Sequence, residues 1–298
     1  MFEASDRAYV VVNGKANRSL RNFISRNTCT SWLYQVNLEP QLQEPTWHDH
    51  LPTQTLESLL RDLKTGVINS VVDTSACVSA QVLATKMRDA SLRGPALQEV
   101  HEEAGRYLAN RLVDKFGQKT ALVESVKRPH TQGQMFDGVR GSTSNCVILP
   151  LMRGGEPMAR GVFSLFPSAL FVHFYDEKEE EPDQRNGLLA DAFRGLNSAK
   201  PVNVILVDSV INSGSSIQAA VKSIRCMAGE VNPELVLAIY VLTGVMQHLA
   251  AERLPSDPQL LRVRFIALRV SENKYVGKGG TDTGARLFGT TLIDADKK

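Results

Sequence analysis

The stretch VNVILVDSVINSGSSIQAAVKSIRCMAG (residues 202–229) passes from an apolar strand through a polar turn into an amphipathic helix. Residues 202–207 are β-branched or leucine at every position but Asn203, the pattern of a strand buried on both faces of a sheet. Asn212-Ser213-Gly214-Ser215-Ser216 then punctuates the chain, and Ile217, Ala220, Val221 and Ile224 follow at helical spacing. A helix that opens just beyond a buried strand presents unpaired N–H groups and the positive end of its dipole, which together cradle a phosphate. Gly214 lets the backbone approach an anion, and the serine hydroxyls add donors. Asp208, closing the strand, offers two acceptor oxygens to vicinal sugar hydroxyls. An ordinary capped turn uses the same residue types, since Asn and Ser are common helix caps. The spacing alone leaves both readings open.

The same alternation extends in both directions. CVIL (146–149), ALFVHF (169–174), LVLAIYVL (235–242) and VRFIAL (263–268) read as short buried strands. Pro95–Phe116 reads as a helix with Leu97, Val100, Ala104, Leu108 and Leu112 on one stripe; LESLLRDL (56–63) and the segment from Glu156 are also helical. Strands alternating with helices predict an α/β fold with a parallel sheet covered on both faces and ligands at the carboxyl ends of its strands. The loops after 149, 174, 207, 242 and 268 are therefore the places to look. Arg153 with Gly154-Gly155 follows a buried strand, a pattern that suits anion binding as well as a plain surface turn.

The first fifty residues read less clearly. Residues 10–23 suggest a strand and a helix with a Gly14-Lys15 pair, but the nucleotide-binding loop GxxxxGK[ST] would need Gly where Tyr9 stands and Ser or Thr where Ala16 stands. The proline-rich stretch 37–52 reads as a loop. The expected division is an N-terminal extension, 1–52, and one domain, 53–298.

Composition narrows the class. The chain has 298 residues, 43% apolar and 22% charged, which excludes a disordered or fibrous chain and allows a full core without disulfides. Its formal net charge of +2 supplies no bulk attraction for nucleic acid or an anionic membrane. Cys29, Cys77, Cys146 and Cys226 are far apart and suggest reduced thiols. The opening MFEASDR lacks the features of a signal peptide, and the longest apolar run, Leu235–Met246, is too short for a membrane span of roughly 20 residues. A soluble cytoplasmic protein is expected. The run DEKEEEPD (176–183) reads as a solvated loop, and the histidines, among them His48, His50 and His101, form no ligand pattern.

Four segments in order carry a family resemblance. VILVDSVINSGSSI (204–217) resembles the phosphoribosyl-pyrophosphate-binding segment of type I phosphoribosyltransferases, and more narrowly of uracil phosphoribosyltransferases. GQMFDGV (133–139) with VILPLMRGGEPMARG (147–161) is similar to that family's substrate-loop strand and pyrophosphate loop. SENKYVGKGGTDTGARLFG (271–289) is similar to its uracil loop and C-terminal motif, and residues 81–108 to its N-terminal helical part. The resemblance spans roughly residues 70–290 and implies a parallel sheet with an N-terminal helical part and a small hood. It implies transfer of phosphoribose from phosphoribosyl pyrophosphate to uracil or a related base, usually with Mg²⁺, in a homodimer or higher homo-oligomer. By the same resemblance Asp208 holds the ribose hydroxyls, and Asn212, Ser213, Gly214, Ser215 and Ser216 hold the 5′-phosphate. Arg153, Gly154 and Gly155 meet the pyrophosphate, and Asp282 faces the metal–pyrophosphate group. Tyr275, Val276 and Gly277 form the base pocket, reading the ring through backbone amides.

The departures define the competing readings. Thr281-Asp282-Thr283-Gly284-Ala285-Arg286 stands where the family has Gly-Asp-x-Gly-Asp-Arg, and Tyr175-Asp176-Glu177 where it has Arg-Asp-Glu. Asn212-Ser213-Gly214-Ser215 replaces Ala-Thr-Gly-Gly, and Lys278 replaces a proline. Losing one transition-state charge contact commonly costs about 10²–10³ in rate. The retained Asp208, Arg153 and Asp282 favour an active enzyme. The altered Tyr175, Thr281 and Ala285 motivate a weakly active or inactive binding protein that senses phosphoribosyl pyrophosphate or a nucleotide. A third reading is one domain of a longer salvage protein.

Overall fold

Two short strands near the N-terminus, β1 (Tyr9–Val12) and β2 (Leu33–Val36), pair in parallel. Beyond them, the computed structural model describes residues 71–117, 120–142, 145–174, 182–260 and 262–290. The helix expected at 56–63, the loop at 37–52, Cys29, Tyr175 and the boundary after residue 52 lie outside the described residues.

The main sheet follows from the apolar runs. Its strands are β3 (Val71–Asp73), β6 (Cys146–Pro150), β7 (Leu170–Phe171), β8 (Val202–Ile211), β9 (Leu237–Gln247) and β10 (Val263–Ser271), all parallel, in the order β3-β10-β9-β8-β6-β7. A separate antiparallel hairpin joins β4 (Val123–Pro129) to β5 (Met135–Gly141). The helices are α1 (Val78–Arg88), α2 (Gly94–Phe116), α3 (Glu156–Phe163), α4 (Pro182–Arg194), α5 (Ser215–Val231), α6 (His248–Arg253) and α7 (Thr283–Phe288). Alternate strand residues divide between two cores. Val204, Leu206, Val241 and Phe265 face α4 and α5, whereas Ile205, Val207, Leu242 and Ile266 face α1, α2 and α3. The result is the three-layer arrangement expected when a parallel sheet is apolar on both faces.

Two strands differ from the sequence reading. Of the expected strand 169–174 only Leu170–Phe171 is regular, with an isolated bridge between Leu151 and Phe174, because this edge strand pairs on one side alone. The strand expected at 235–242 starts at Leu237, after the exposed Val236, and runs on to Gln247.

The alternation between faces slips near the carboxyl ends of the three central strands. Val207, Leu242 and Leu268 pack on the α1–α3 side, yet Ile211, Met246 and Val270 pack on the other. Strict alternation would keep each pair on one face. Pairing stays in register, with Val245 opposite both Val210 and Arg269, so all three strands slip at the same height. Below that height the sheet is closely packed. Above it, consecutive residues Ser209 and Val210, and Gly244 and Val245, line a cavity that α1 and α2 also border.

Helices α2 and α3 meet backbone to backbone at glycines. A Cβ on Gly105 would lie 1.9 Å from the Met158 carbonyl oxygen, and one on Gly161 would lie 2.0 Å from that of Glu102. Neither position has room for a methyl group. Gly105→Ala is expected to lower the unfolding free energy by about 1–3 kcal/mol, the usual cost of overpacking, read as a lower midpoint in thermal denaturation followed by circular dichroism.

Candidate active site

Strand β8 carries the chain to Ile211, and Asn212–Gly214 turns it into α5. Gly214 adopts φ +78°, and a Cβ there would sit 2.5 Å from Leu254 Cδ1, so both conformation and space require glycine. The N-cap residue Gly214 has no side chain to cap α5, Ser213 Oγ accepts from the Ser215 N–H at 3.5 Å, and Ser213, Ser215 and Ser216 are exposed. The leading amides of α5 and three hydroxyls therefore surround one open position, with Ser213 Oγ 3.2 Å from Ser215 Oγ. Arg253 donates to the Ser213 carbonyl and holds the turn from behind.

Asn212 is placed differently from its neighbours. Its Nδ2 donates to the Tyr275 carbonyl at 2.7 Å, and its Oδ1 accepts from the Tyr275 N–H at 3.0 Å. Both ends of the side chain are spent on the backbone of the C-terminal loop, leaving only the main chain of Asn212 to face a phosphate.

Asp208 lies half-buried beneath this turn, its Oδ1 accepting from the Val210 N–H at 3.4 Å. Burial pushes its carboxyl up to about 6, against the lowering effect of the Val210 and Ser209 amides. The Arg153–Gly155 turn abuts it, since a Cβ on Gly154 would lie 3.9 Å from Asp208 Oδ1. That turn is anchored by Leu151 N–H to the Val207 carbonyl (2.9 Å) and by Met152 N–H to that of Phe174 (3.1 Å). Gly155 packs so closely on β8 that a Cβ would meet the Val207 carbonyl at 2.0 Å. The exposed Arg153 side chain reaches the start of α7. A Cβ on Gly284 would be 3.5 Å from Arg153 Nε and Nη2 and 3.2 Å from Asp282 Oδ2. Asp282 caps α7, with Oδ2 accepting from the Ala285 N–H at 3.0 Å. Asp208 and Gly154 thus lie side by side at the carboxyl ends of β8 and β6, and the side chains of Arg153 and Asp282 both flank Gly284.

The C-terminal loop closes on itself. Tyr275 Oη donates to the Thr281 carbonyl at 2.5 Å, and Thr281 Oγ1 accepts from the Lys278 N–H at 2.9 Å. Gly277 packs against Asp282, where a Cβ would lie 2.7 Å from the Asp282 Cα. The Tyr275 amide is taken by Asn212 and the Lys278 amide by Thr281 Oγ1. Arg93 donates to the Gly280 carbonyl and Gln98 to that of Leu287, tying the loop and α7 to α2. Arg286 donates to the carbonyls of Met87, Asp89 and Leu92 and ties α7 to the end of α1.

His101 was not legible as a site residue. It lies on the buried stripe of α2, 2% exposed, with Nδ1 2.9 Å from the Leu97 carbonyl and Nε2 3.2 Å from Ser209 Oγ. Since a carbonyl only accepts, the proton sits on Nδ1, and Nε2 accepts from the Ser209 hydroxyl. The imidazole so fixes the residue that follows Asp208. Burial pulls its pKa down to about 4. The available signal was a histidine spaced four residues from Leu97 on an otherwise apolar stripe.

A family model described as uracil phosphoribosyltransferase matches residues 72–290. The chain belongs to the uracil phosphoribosyltransferase family. Among its relatives are the uracil phosphoribosyltransferases of Mycoplasma mobile, 25% identical over 213 residues (70% of this chain, 95% of that protein), and of Enterococcus faecalis, 24% identical over 206 residues (69% and 92%). The AQ2163 protein of Aquifex aeolicus has the same fold, with a TM-score of 0.55 at 16% identity, covering 75% of this chain and 100% of that one. Against the uracil phosphoribosyltransferase pattern, Thr281 braces its loop and Ala285, 5% exposed, supplies the amide that Asp282 caps.

The histidine makes a linkage prediction. Its folded pKa is below the unfolded value of about 6.5, so the unfolded chain gains a proton first as pH falls. Wild-type stability relative to His101→Gln is expected to decline between about pH 6.5 and pH 4, by up to about 3 kcal/mol, checked by urea denaturation across that range.

Proposed function

We propose that this member of the uracil phosphoribosyltransferase family is an active enzyme that joins phosphoribosyl pyrophosphate to uracil or a related base, giving UMP or the corresponding nucleotide and pyrophosphate. The observation that supports it is the placement of the Arg153 turn against Asp208, of the Arg153 side chain beside Gly284 with Asp282, and of the exposed first turn of α5 just beyond Asp208, within the segment matched to the family. The reaction displaces pyrophosphate at the anomeric carbon through an oxocarbenium-like state, so the protein's task is positioning and charge stabilisation. Asp208, ionised at neutral pH, accepts hydrogen bonds from the ribose hydroxyls. The leading amides of α5, with Ser213, Ser215 and Ser216, hold the 5′-phosphate. Arg153 and the Gly154–Gly155 backbone hold the pyrophosphate as its charge grows. Val276 and Gly277 present amides to the ring, and Tyr275 walls the pocket.

The donor set fits a cation that arrives with the substrate. Among the described residues no group of three or more His, Cys, Asp or Glu side chains is arranged to hold a metal. Mg²⁺ carried on the pyrophosphate, opposite Asp282, would neutralise charge on the leaving group when bound.

The regulatory reading is not favoured. Ala285 removes a carboxylate but keeps the cap on α7, and Thr281 adds a brace to the loop. Two further points belong to this proposal. Among the described residues no helix is long and apolar enough to cross a membrane. Hairpin β4–β5 exposes Met135, Phe136 and Val139, an apolar surface suited to a homodimer.

Asp208→Asn is the test. Turnover of phosphoribosyl pyrophosphate and uracil with Mg²⁺, read as UMP by mass spectrometry, is expected to fall by about 10²-fold or more. Stability at pH 7 is expected to hold or rise, because a partly desolvated carboxylate is removed. Unchanged turnover would refute the ribose assignment, and no nucleotide from the wild type with uracil or a related base would refute the enzyme reading.

A further inference from the structure

The cavity above the slip in the sheet has a volume of about 230 Å³, below the usual range of about 300–1,000 Å³ for ligand pockets and sized for a single substituted ring rather than a whole nucleotide. It opens beside the site already described, because Tyr275, Ser209 and Val210 all line it. Ala84, Met87, Val210 and Val245 give it apolar walls. Three arginines, Arg88, Arg269 and Arg286, border the same space.

Two of those cations are uncompensated. Arg286 is committed to the carbonyls of Met87, Asp89 and Leu92. Neither Arg88 nor Arg269 forms an ion pair with a carboxylate among the described residues. They are near enough to repel. Partial burial, and after it the Arg88 charge, lower the pKa of the Arg269 guanidinium. Two like charges at one partly desolvated cavity raise the free energy of the empty site, and an anion bound between them removes that cost. Arg269 stands at the height where the alternation slips, paired with Val245 and so in line with Val210. Arg88 is fixed from α1 by the Arg286 bonds on either side of it.

We propose that this cavity receives a pyrimidine ring bearing a carboxylate, with Arg88 and Arg269 holding the carboxylate and the chain transferring phosphoribose to that ring. A guanidinium fork matches the planar, two-oxygen geometry of a carboxylate, and the apolar walls suit a flat heterocycle. The phosphate-sized anion position is already supplied by the first turn of α5, which leaves this smaller space for the base. The inference rests on the phosphoribosyltransferase reading and names its substrate class. In the transfer, a ring nitrogen forms the bond to the anomeric carbon and gives its proton to water. The bond from that carbon to pyrophosphate breaks, and pyrophosphate leaves with the electron pair.

The test uses the full chain with phosphoribosyl pyrophosphate and Mg²⁺, comparing uracil with orotate, its 6-carboxylate, as the probe. Orotate is expected to bind at least about tenfold more tightly than uracil and to yield its nucleotide by mass spectrometry. Arg269→Met is expected to abolish that preference, and Arg269→Lys to retain part of it. Arg88→Met, on a separate element, provides a second variant if the first fails to fold. UMP formation with no preference for orotate would overturn this inference while leaving the transferase reading intact. Orotate binding without nucleotide would overturn the substrate assignment. No nucleotide from either base would overturn both readings.

Discussion

Three strands buried on both faces must release their polar residues somewhere, and in this chain they do so at one height. From Val202 to Val207, Ile239 to Leu242 and Val263 to Leu268, apolar side chains fill two cores, with only Asn203 and Arg264 breaking the runs. Asp208, Thr243 and Arg269 come directly after or close behind those runs. A regular alternation would have driven half of the next residues into a core, at a cost of several kcal/mol for each unpaired charge. The shared slip avoids this by turning two consecutive residues of β8 and β9 toward the α1–α2 side. Asp208 and Thr243 then bond the backbone of their own strands, Ser209 meets His101, and Arg269 borders the cavity.

The helices complete the site from outside the sheet. The close approach at Gly105 and Gly161 seats α3 on α2, and α3 begins where the Arg153 turn ends. From α2, His101 reaches Ser209, and Gln98 reaches the end of α7. The same helix thereby positions the residue after Asp208 and the element that Asp282 caps. Electrostatics follow from the packing. The carboxyl of Asp208 is raised because it is desolvated, and the imidazole of His101 is kept neutral for the same reason.

How much of this could be read beforehand depends on the distance between partners. The strands at 146–149, 202–207 and 263–268 were legible because residues buried on both faces announce themselves as apolar runs, broken here only by Asn203 and Arg264. Their continuations were not, since DSVI (208–211), TGVMQ (243–247) and RVS (269–271) mix polar and apolar residues across a slip that no period of two describes. Asp208, Gly214 and Arg153 stood out because strand, punctuation and helix are adjacent in the chain. Asn212 looked like one more phosphate-loop residue, because its real partner, Tyr275, is 63 residues away. His101 and Ser209 are 108 residues apart, and Arg88, Arg269 and Arg286 come from three separate elements. Only the tertiary fold brings such groups together.

The pair of hydrogen bonds between Asn212 and Tyr275 joins the turn before α5 to the loop that borders the ring cavity. Neither segment can be ordered without the other being partly ordered as well. A ligand that stills the first has already met part of the entropic cost of stilling the second, so the two halves of the cleft are thermodynamically coupled in both directions. A single side-chain amide thus links the ordering of the phosphate turn to that of the C-terminal loop.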